Sequence, residues 1–438
     1  MARPNVTFRL NDKSLVAPGS EAQSTKMIGA MLSTAGSAMA ALSRAGETAA
    51  GSMYITNVSD LYARLTTMIT NFIGGGTYAT GVTLYSVGSC AASYINGTYG
   101  GSAFDGGTFP NSGGAFGGIT FSGGRTAFRE EYWALNNYLQ YGSPVFVGFG
   151  DTTKTAPGAS GFEAIADFSL FDVIFQGRSS DAAINAVKNV VEAKIKLDLP
   201  VFGILNCTSG ITPASSMTSV PGQTFDDYHY SIVYGEKIHL GANDGTDKTI
   251  TTILAPDVAG CLGRTDRDYF PWYSPAGTKR GRILNVVKLN KNLKAQDQDY
   301  LYDNGINPVV TFAGEGTFLF GDKTTKDDIS TLSRMNVARL FINLKKVIGA
   351  IARDTLFEVN NNTTRASFVA QADRVLRNIQ NLQGLSEYKI VCDETNNPVD
   401  IVEANQFYAE ILVKPLTSIN FITITFTNVD LQSDINQA

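Results

Sequence analysis

Few side chains in this sequence could do acid–base, nucleophilic or metal chemistry. The 438 residues include only two histidines, His229 and His239, and no H-E-x-x-H or cysteine–histidine spacing of the kind that binds zinc. Asp226 and Asp227 could form an acid–base pair, but they lie in a turn-like stretch flanked by glycine and proline. We therefore predict no catalytic site, no metal and no cofactor, and keep an enzyme on an α/β fold as an alternative.

The cysteines are equally poor candidates for reactive groups. They are far apart in the chain and form no C-x-x-C pair. Small buried thiols in a reducing compartment are the expected role for isolated cysteines of this kind. The four residues are Cys90, Cys207, Cys261 and Cys392.

A basic run offers different chemistry, the binding of anions. From Tyr269 to Gln296 there are six basic residues and no acid: Lys279, Arg280, Arg282, Lys288, Lys291 and Lys294. The pattern favours a solvated basic face or a surface for an acidic partner. Nucleic-acid binding is a further alternative, since aromatic residues lie nearby. However, the interleaved apolar residues make the run look like a strand with basic flanks.

The bulk composition excludes several classes of protein. With 43% hydrophobic residues and a net charge of -5, the chain is neither wholly disordered nor a strongly basic nucleic-acid binder. Only 17% of the residues are charged, and 43 are glycine. Sixteen of those glycines fall in residues 65–124, where Asp105 is the only charge. We expect an irregular or β-rich insertion there, packed against neighbours. The apolar stretch Met27–Leu42 is too short to span a membrane.

The middle of the chain alternates predicted strands and helices. A helix is predicted over 130–141, followed by strands over 144–149 and 170–175. A helix capped by Ser179 or Ser180 then leads to a strand over 200–205, which makes a β-α-β crossover with parallel strands. A hairpin is predicted over 230–240 and a helix over 255–266. The alternation indicates an α/β (α+β) fold.

The C-terminal third is the most regular part. Apolar residues at spacings of three and four predict a helix over Met335–Arg353, whose remaining positions include Arg339, Lys345, Lys346 and Arg353. A second helix over 363–383 is followed by strands over 388–392, 407–413 and 419–427. Residues 334–381 carry a net charge of +5 and residues 384–438 of -6, counted from the sequence. Such a division suits ordered head-to-tail contacts between copies.

Two segments near the ends of the chain alternate apolar and polar residues with the period of a strand. One places Val6, Phe8 and Leu10 on one face. The other does the same with Ile422, Ile424 and Phe426. An exposed strand of this kind is an aggregation hazard unless a partner covers it, so we expect distant or intermolecular pairing.

Six short motifs follow one another between residues 255 and 428. They are G-C-L-G-R-T-D at 260–266, W-Y-S-P-A-G at 272–277, L-Y-D-N-G-I-N at 301–307, F-G-D-K-T at 320–324, N-V-A-R-L-F-I at 336–342 and C-D-E-T-N-N-P at 392–398. In content and order they resemble the contractile tail sheath proteins of phages, R-type tailocins and related injection systems. Gly263, Phe320 and Lys323 stand where that family usually has alanine, tryptophan and arginine.

The resemblance implies a multi-domain organisation. Residues 255–428 would form the sheath core domain, completed by the N-terminal segment, with residues 1–20 as an extended arm. Residues 21–254 would be inserted α/β domain(s) carrying the insertion 65–124, and residues 429–438 a tail or arm. In the family, terminal strands complete sheets of neighbouring subunits, so the two alternating segments become candidate inter-subunit arms.

The resemblance also implies a structural virion protein rather than an enzyme. Copies would stack in rings as a helical homo-oligomer around a tail tube, with baseplate and tail terminator proteins as further partners. Contraction from a metastable extended state would drive the tube through the host envelope. By analogy, Arg339, Lys345, Lys346 and Arg353 would face the tube.

We expect assembly in the host cytoplasm and a place in the phage tail, with no membrane insertion and no direct nucleic-acid contact. The alternatives are another self-assembling virion protein or a nucleic-acid-binding virion component.

Overall fold

The helices and strands alternate along much of the described chain. The computed structural model describes residues 27–33, 52–61, 63–64, 103–104, 107–108, 114–116, 119–121, 124–149, 171–197, 199–207, 226–240, 249–327 and 330–418. The two candidate arm strands, with Val6, Phe8, Leu10, Ile422, Ile424 and Phe426, lie outside these residues, and so does Cys90.

The strands are β1 (Gly29–Ser33), β2 (Ser52–Ile55), β3 (Ala103–Phe104), β4 (Gly107–Thr108), β5 (Gly114–Phe116), β6 (Ile119–Phe121), β7 (Val145–Phe149), β8 (Val173–Phe175), β9 (Phe202–Cys207), β10 (Tyr230–Tyr234), β11 (Glu236–Leu240), β12 (Thr249–Ile253), β13 (Lys288–Leu289), β14 (Ile306–Asn307), β15 (Val309–Phe312), β16 (Gly316–Leu319), β17 (Leu385–Val391) and β18 (Glu410–Pro415). The helices are α1 (Gly124–Leu139), α2 (Asp181–Lys196), α3 (Ala255–Asp268), α4 (Ala295–Asp303), α5 (Met335–Thr355), α6 (Asn362–Asn381) and α7 (Val399–Glu403).

A seven-stranded sheet organises the larger part of the subunit. Its order is β14-β10-β9-β8-β1-β7-β2, and every neighbouring pair is parallel except β2 with β7. Successive residues of β7 point to opposite faces. Val145 and Val147 join a core with α1, α3 and the first half of α5, whereas Phe146 joins a core with α2 on the other face. The predicted α/β class is confirmed.

The predicted β-α-β crossover is present. β8 and β9 pair in parallel, and α2 connects them. The Oγ of Ser180 accepts a hydrogen bond from the backbone N–H of Ala183 at 3.3 Å, so Ser180 is the N-cap that the sequence offered. One side of α2, including Val187, Val190 and Val191, is buried against the sheet.

The predicted hairpin over 230–240 is wrong. β10 and β11 are separate strands in different sheets, because Gly235 adopts φ +104° and turns the chain between them. β11 instead pairs antiparallel with β12, the next strand along the chain, and with β13. The basic run over 269–296 looked like a strand with basic flanks, but within it only Lys288 and Leu289 form a strand, β13.

The C-terminal part forms a smaller α+β unit. α5 and α6 are joined by a short loop, and α6 packs on β17, which pairs antiparallel with β18. α5 is shared: Met335, Val337 and Ile342 are buried with the large sheet, whereas Ile348 is buried with Phe368 of α6. The core that α1, α3 and the first half of α5 form on the large sheet contains residues from both sides of position 254. Packing therefore crosses the proposed domain boundary there.

Two features of the fold bear on other predictions. Cys207, Cys261 and Cys392 are buried free thiols, as expected, and burial raises the pKa of Cys207 and of Cys261 to about 12. Within residues 65–124 the structure describes four short strands, which pair as β3–β4 and β5–β6. None of the described helices combines the length and apolarity needed to cross a bilayer.

Candidate functional site

The four cations predicted to face a tube do not share one surface of α5. Arg339 is buried and binds Asp266 of α3 through two guanidinium–carboxylate contacts of 2.8 and 2.5 Å. Lys346 lies seven residues, about two helical turns, further along and therefore on the same side of the helix. Its Nζ donates to Asp172 at 2.7 Å and to the carbonyl of Phe171 at 3.2 Å. These two side chains bind α5 to the rest of the same subunit.

Lys345 and Arg353 are placed differently. The Nζ of half-buried Lys345 donates to the hydroxyl of Tyr228 at 3.2 Å and lies 6.0 Å from the centre of that ring. Arg353, in the last turn of α5, is exposed. Of the four candidates, Arg353 thus presents its charge most openly to a binding partner.

A second buried ion pair lies at the start of α3. Lys237 donates to Asp257 at 2.8 Å and to the carbonyl of Leu284 at 2.9 Å, and both charged side chains are fully buried. The hydroxyl of Tyr141 donates to the same carboxylate at 3.0 Å. Burial raises the pKa of Asp257, and Lys237 opposes that rise. Burial raises the pKa of Asp266 in the same way against Arg339.

The motif at 260–266 joins three elements. Arg264 donates to the carbonyls of Arg280 and Arg282, at 2.5 and 2.8 Å, and lies over the ring of Tyr141. A Cβ at Gly263 would lie 2.3 Å from the Oγ of Ser143. This close approach of α3 to the loop before β7 explains why a glycine stands where the family usually has alanine.

The motifs at 301–307 and 320–324 meet at one asparagine. Asn307 donates to the carbonyls of Ile232 and Lys323, and its Oδ1 accepts from the backbone N–H of Lys323 at 2.8 Å. Lys323 then donates to the carbonyl of Tyr302 at 2.6 Å and lies 4.2 Å from the centre of that ring. Together these contacts attach the edge strand β14 to β10.

The tryptophan of the motif at 272–277 joins α5 to α6. The indole Nε1 of Trp272 donates to the carbonyl of Leu382 at 3.1 Å, and its own carbonyl accepts from Asn336 at 3.1 Å. Phe270 stacks on the indole, with ring centres 4.7 Å apart. These motif residues therefore help to hold the shape of the subunit.

The sheet formed by β17 and β18 offers open edges to another chain. Among the described strands, neither β17 nor β18 has a neighbour on its outer edge. An open edge presents unpaired N–H and C=O groups to any extended segment. Sequence reasoning found these strands but had no means of identifying their free edges. It also missed Asp172, Tyr228 and Asp266 as partners of α5, because long-range pairing leaves no local pattern.

The fold formed by these elements is similar to that of subunits of contractile sheaths. The chain matches a subunit of the anti-feeding prophage (AFP) helical sheath in its contracted state with a TM-score of 0.62 and 15% identity, over 98% of this chain and 100% of that one. A subunit of the PVC sheath complex, an extracellular contractile injection system in its contracted state, gives a TM-score of 0.63 and 14% identity, over 100% and 99%.

Part of the sequence is also similar to the tail sheath proteins of individual phages. Residues 327–428 match the phage tail sheath C-terminal domain. The tail sheath protein of Vibrio phage KVP40 is 48% identical over 181 residues, which are 41% of this chain and 27% of that protein. The tail sheath protein of Enterobacteria phage T4 is 42% identical over 184 residues, 42% of this chain and 28% of that protein. The match thus spans little more than a quarter of those proteins' length, and the chain resembles tail sheath proteins over that part.

Proposed function

We propose that this chain is a structural subunit of a contractile tail sheath. The observation that carries the proposal is the agreement of two likenesses: tail sheath proteins match its sequence with 42–48% identity, and contracted sheath subunits match its fold over nearly all its length. In this proposal, copies polymerise helically around a tail tube. They then contract from a metastable extended state and drive the tube through the host envelope, without enzymatic activity.

Strand addition would link the copies. The segments around Val6–Leu10 and Ile422–Phe426 would leave one subunit and pair with the open edges of the β17–β18 sheet in its neighbours. Alternating apolar side chains suit such pairing, since one face enters the acceptor's core while backbone hydrogen bonds supply the attachment. The acceptor sheet rests on α6, and Leu385 and Val413 are buried beneath it, so a third strand would extend an existing core.

Contraction would use two packings of the same rigid subunit. Repeated head-to-tail contacts that do not close produce helical filaments, and a small free-energy difference per copy suffices when many copies switch together. The tube-facing surface would include Arg353 and the neighbouring part of α5 near Lys345. Arg339 and Lys346 would instead hold α5 in place.

The remaining parts of the proposal concern partners and location. We place the assembled sheath in the phage tail, with tube, baseplate and terminator proteins as partners and assembly in the host cytoplasm. Residues 1–20 would be an arm, 21–254 inserted α/β domain(s) and 255–428 the core, with 429–438 as a tail.

Negative-stain electron microscopy of the purified chain tests the proposal. We expect hollow tubes of regular helical order, formed by the chain alone or on addition of the tube protein. Monodisperse particles under both conditions, across a range of salt and protein concentrations, would contradict a sheath function.

A further inference from the structure

One end of the C-terminal unit is strongly acidic. Residues 354–364 and 392–410 contain seven acidic side chains and no basic one. Two hydrogen bonds hold the segments side by side: Asn360 Nδ2 donates to the carbonyl of Gln406 at 2.8 Å, and Asn362 Nδ2 donates to Glu394 at 3.2 Å. All seven acids are exposed, and together we call them the acidic face: Asp354, Glu358, Asp393, Glu394, Asp400, Glu403 and Glu410.

Large apolar side chains lie among these acids. Phe357 is 86% exposed, and Val359 and Val399 are 71% and 72% exposed. Phe357 also has a φ of +70°, a left-handed conformation that is strained for a bulky residue. Tyr408, in the second segment, is also exposed. An apolar patch that is ringed by charge marks a surface that binds another molecule.

A second group of exposed residues has the opposite charge and also includes exposed apolar side chains. Five exposed cations define the basic face: Lys279, Arg282, Lys288, Lys291 and Lys294. Val287, directly before Lys288, and Leu240, at the end of the paired strand β11, are more than half exposed. The nearby carboxylate of Glu236 accepts from Asn290 at 2.7 Å. The basic run therefore exposes five cations, with two exposed apolar side chains near Lys288.

We infer that the acidic face of one copy docks on the basic face of a second copy. The inference rests on the proposed sheath function and names the surfaces through which copies meet in addition to strand exchange. Charge complementarity selects this partner, since acids predominate on one face and cations on the other, and each has exposed apolar residues to bury. Because the two faces are different surfaces, the contact is head-to-tail and generates an open helical row. Such a contact weakens as salt screens it.

Paired charge reversal tests this docking. Glu358→Lys with Glu403→Lys turns the acidic face toward positive charge, and Lys288→Glu with Lys294→Glu turns the basic face toward negative charge. All four residues are exposed. Glu403 is the last residue of α7, where a positive charge is favourable, and Lys294 precedes the first residue of α4, where a negative charge is favourable. Glu315→Lys, in the exposed turn between β15 and β16, is the control for a reversal elsewhere.

In sedimentation experiments at low salt, each reversed variant alone should associate about tenfold more weakly than the unmodified chain, while the control is unchanged. An equimolar mixture of the two variants, whose faces are complementary again, should recover association. Unchanged association of either variant, or no recovery in the mixture, would overturn the inference. The inference would also be overturned if the variant with the reversed acidic face still self-associated but no longer bound the tube protein, since the acidic face would then bind the tube. If the mixture recovered association but no tubes appeared in micrographs, the docking of the two faces would be supported and the sheath function contradicted.

Discussion

Arg339 and Asp266 form a buried ion pair although 73 positions separate them in the chain. Both side chains are 5% exposed, and two contacts of 2.8 and 2.5 Å join them. The pair joins α5 to α3, and so joins the helix shared by both cores to the layer that covers the large sheet. A residue that looked like an outward-facing cation is therefore part of the interior.

Arg339→Met should destabilise the chain by about 3–5 kcal/mol, because it leaves the Asp266 carboxylate buried without its partner. The double variant Arg339→Met with Asp266→Leu should recover much of that loss, since neither charge then remains. Urea unfolding followed by circular dichroism measures both. Arg353→Met is the matched control on the exposed end of α5 and should change stability by less than about 0.5 kcal/mol. An equal effect of both single changes would contradict the pairing.

Gly263→Ala should destabilise the subunit by about 1–3 kcal/mol even though alanine is usual in the family. The added methyl group would meet the Oγ of Ser143 at 2.3 Å and the Cε of Met27 at 3.1 Å. Ser143→Gly in the same chain removes the closer contact and should restore part of the stability. Thermal melting of the two variants checks the expectation. A Gly263→Ala variant as stable as the parent would show that the loop before β7 yields freely.

Changing Val6, Phe8 and Leu10 to serine should abolish ordered polymerisation without unfolding the subunit, because that face of the segment would no longer suit a neighbour's core. Deletion of residues 1–17 should have the same effect. The matched control is Thr7→Ser, on the opposite face of the alternating segment. Micrographs and melting curves, taken together, separate loss of assembly from loss of folding. Ordered sheaths from the truncated chain would show that the N-terminal arm is dispensable.

Lys345→Glu combined with Arg353→Glu should weaken attachment to the tube protein while self-polymerisation persists. Lys346 is left unchanged in this test, since its reversal would break an ion pair with Asp172 inside the subunit, whereas Lys345 contacts the neutral hydroxyl of Tyr228. Lys196→Glu, at the exposed end of α2, is the control reversal. Co-sedimentation with tubes at several salt concentrations is the measurement. Attachment that neither the variant nor salt alters would remove α5 from the tube-facing surface.

Local patterns predicted much of the fold. The stripe from Val337 to Ile348 and the cap at Ser180 are properties of neighbouring residues, and both gave helices at the right place. The turn at Gly235 was misinterpreted because a glycine between two apolar runs fits a hairpin as well as a passage between sheets. Which strands become neighbours is decided by tertiary packing.

The site was harder to predict than the fold. Helical periodicity places Arg339 and Lys346 on a common side but does not say whether that side meets water or a carboxylate from another element. Asp266 and Asp172 answer that question, and they lie far away in the sequence. The motifs identified the resemblance through residues such as Asn307 and Trp272, whose role in the structure is to hold backbone segments together.

α5 has a mechanical consequence of its own. Its 21 residues extend about 30 Å as one continuous rod, with one end set in the large sheet and the other beneath the hairpin partner α6. A displacement of the β17–β18 sheet would therefore be transmitted along this rod to the large sheet, so the two parts of the subunit would move together.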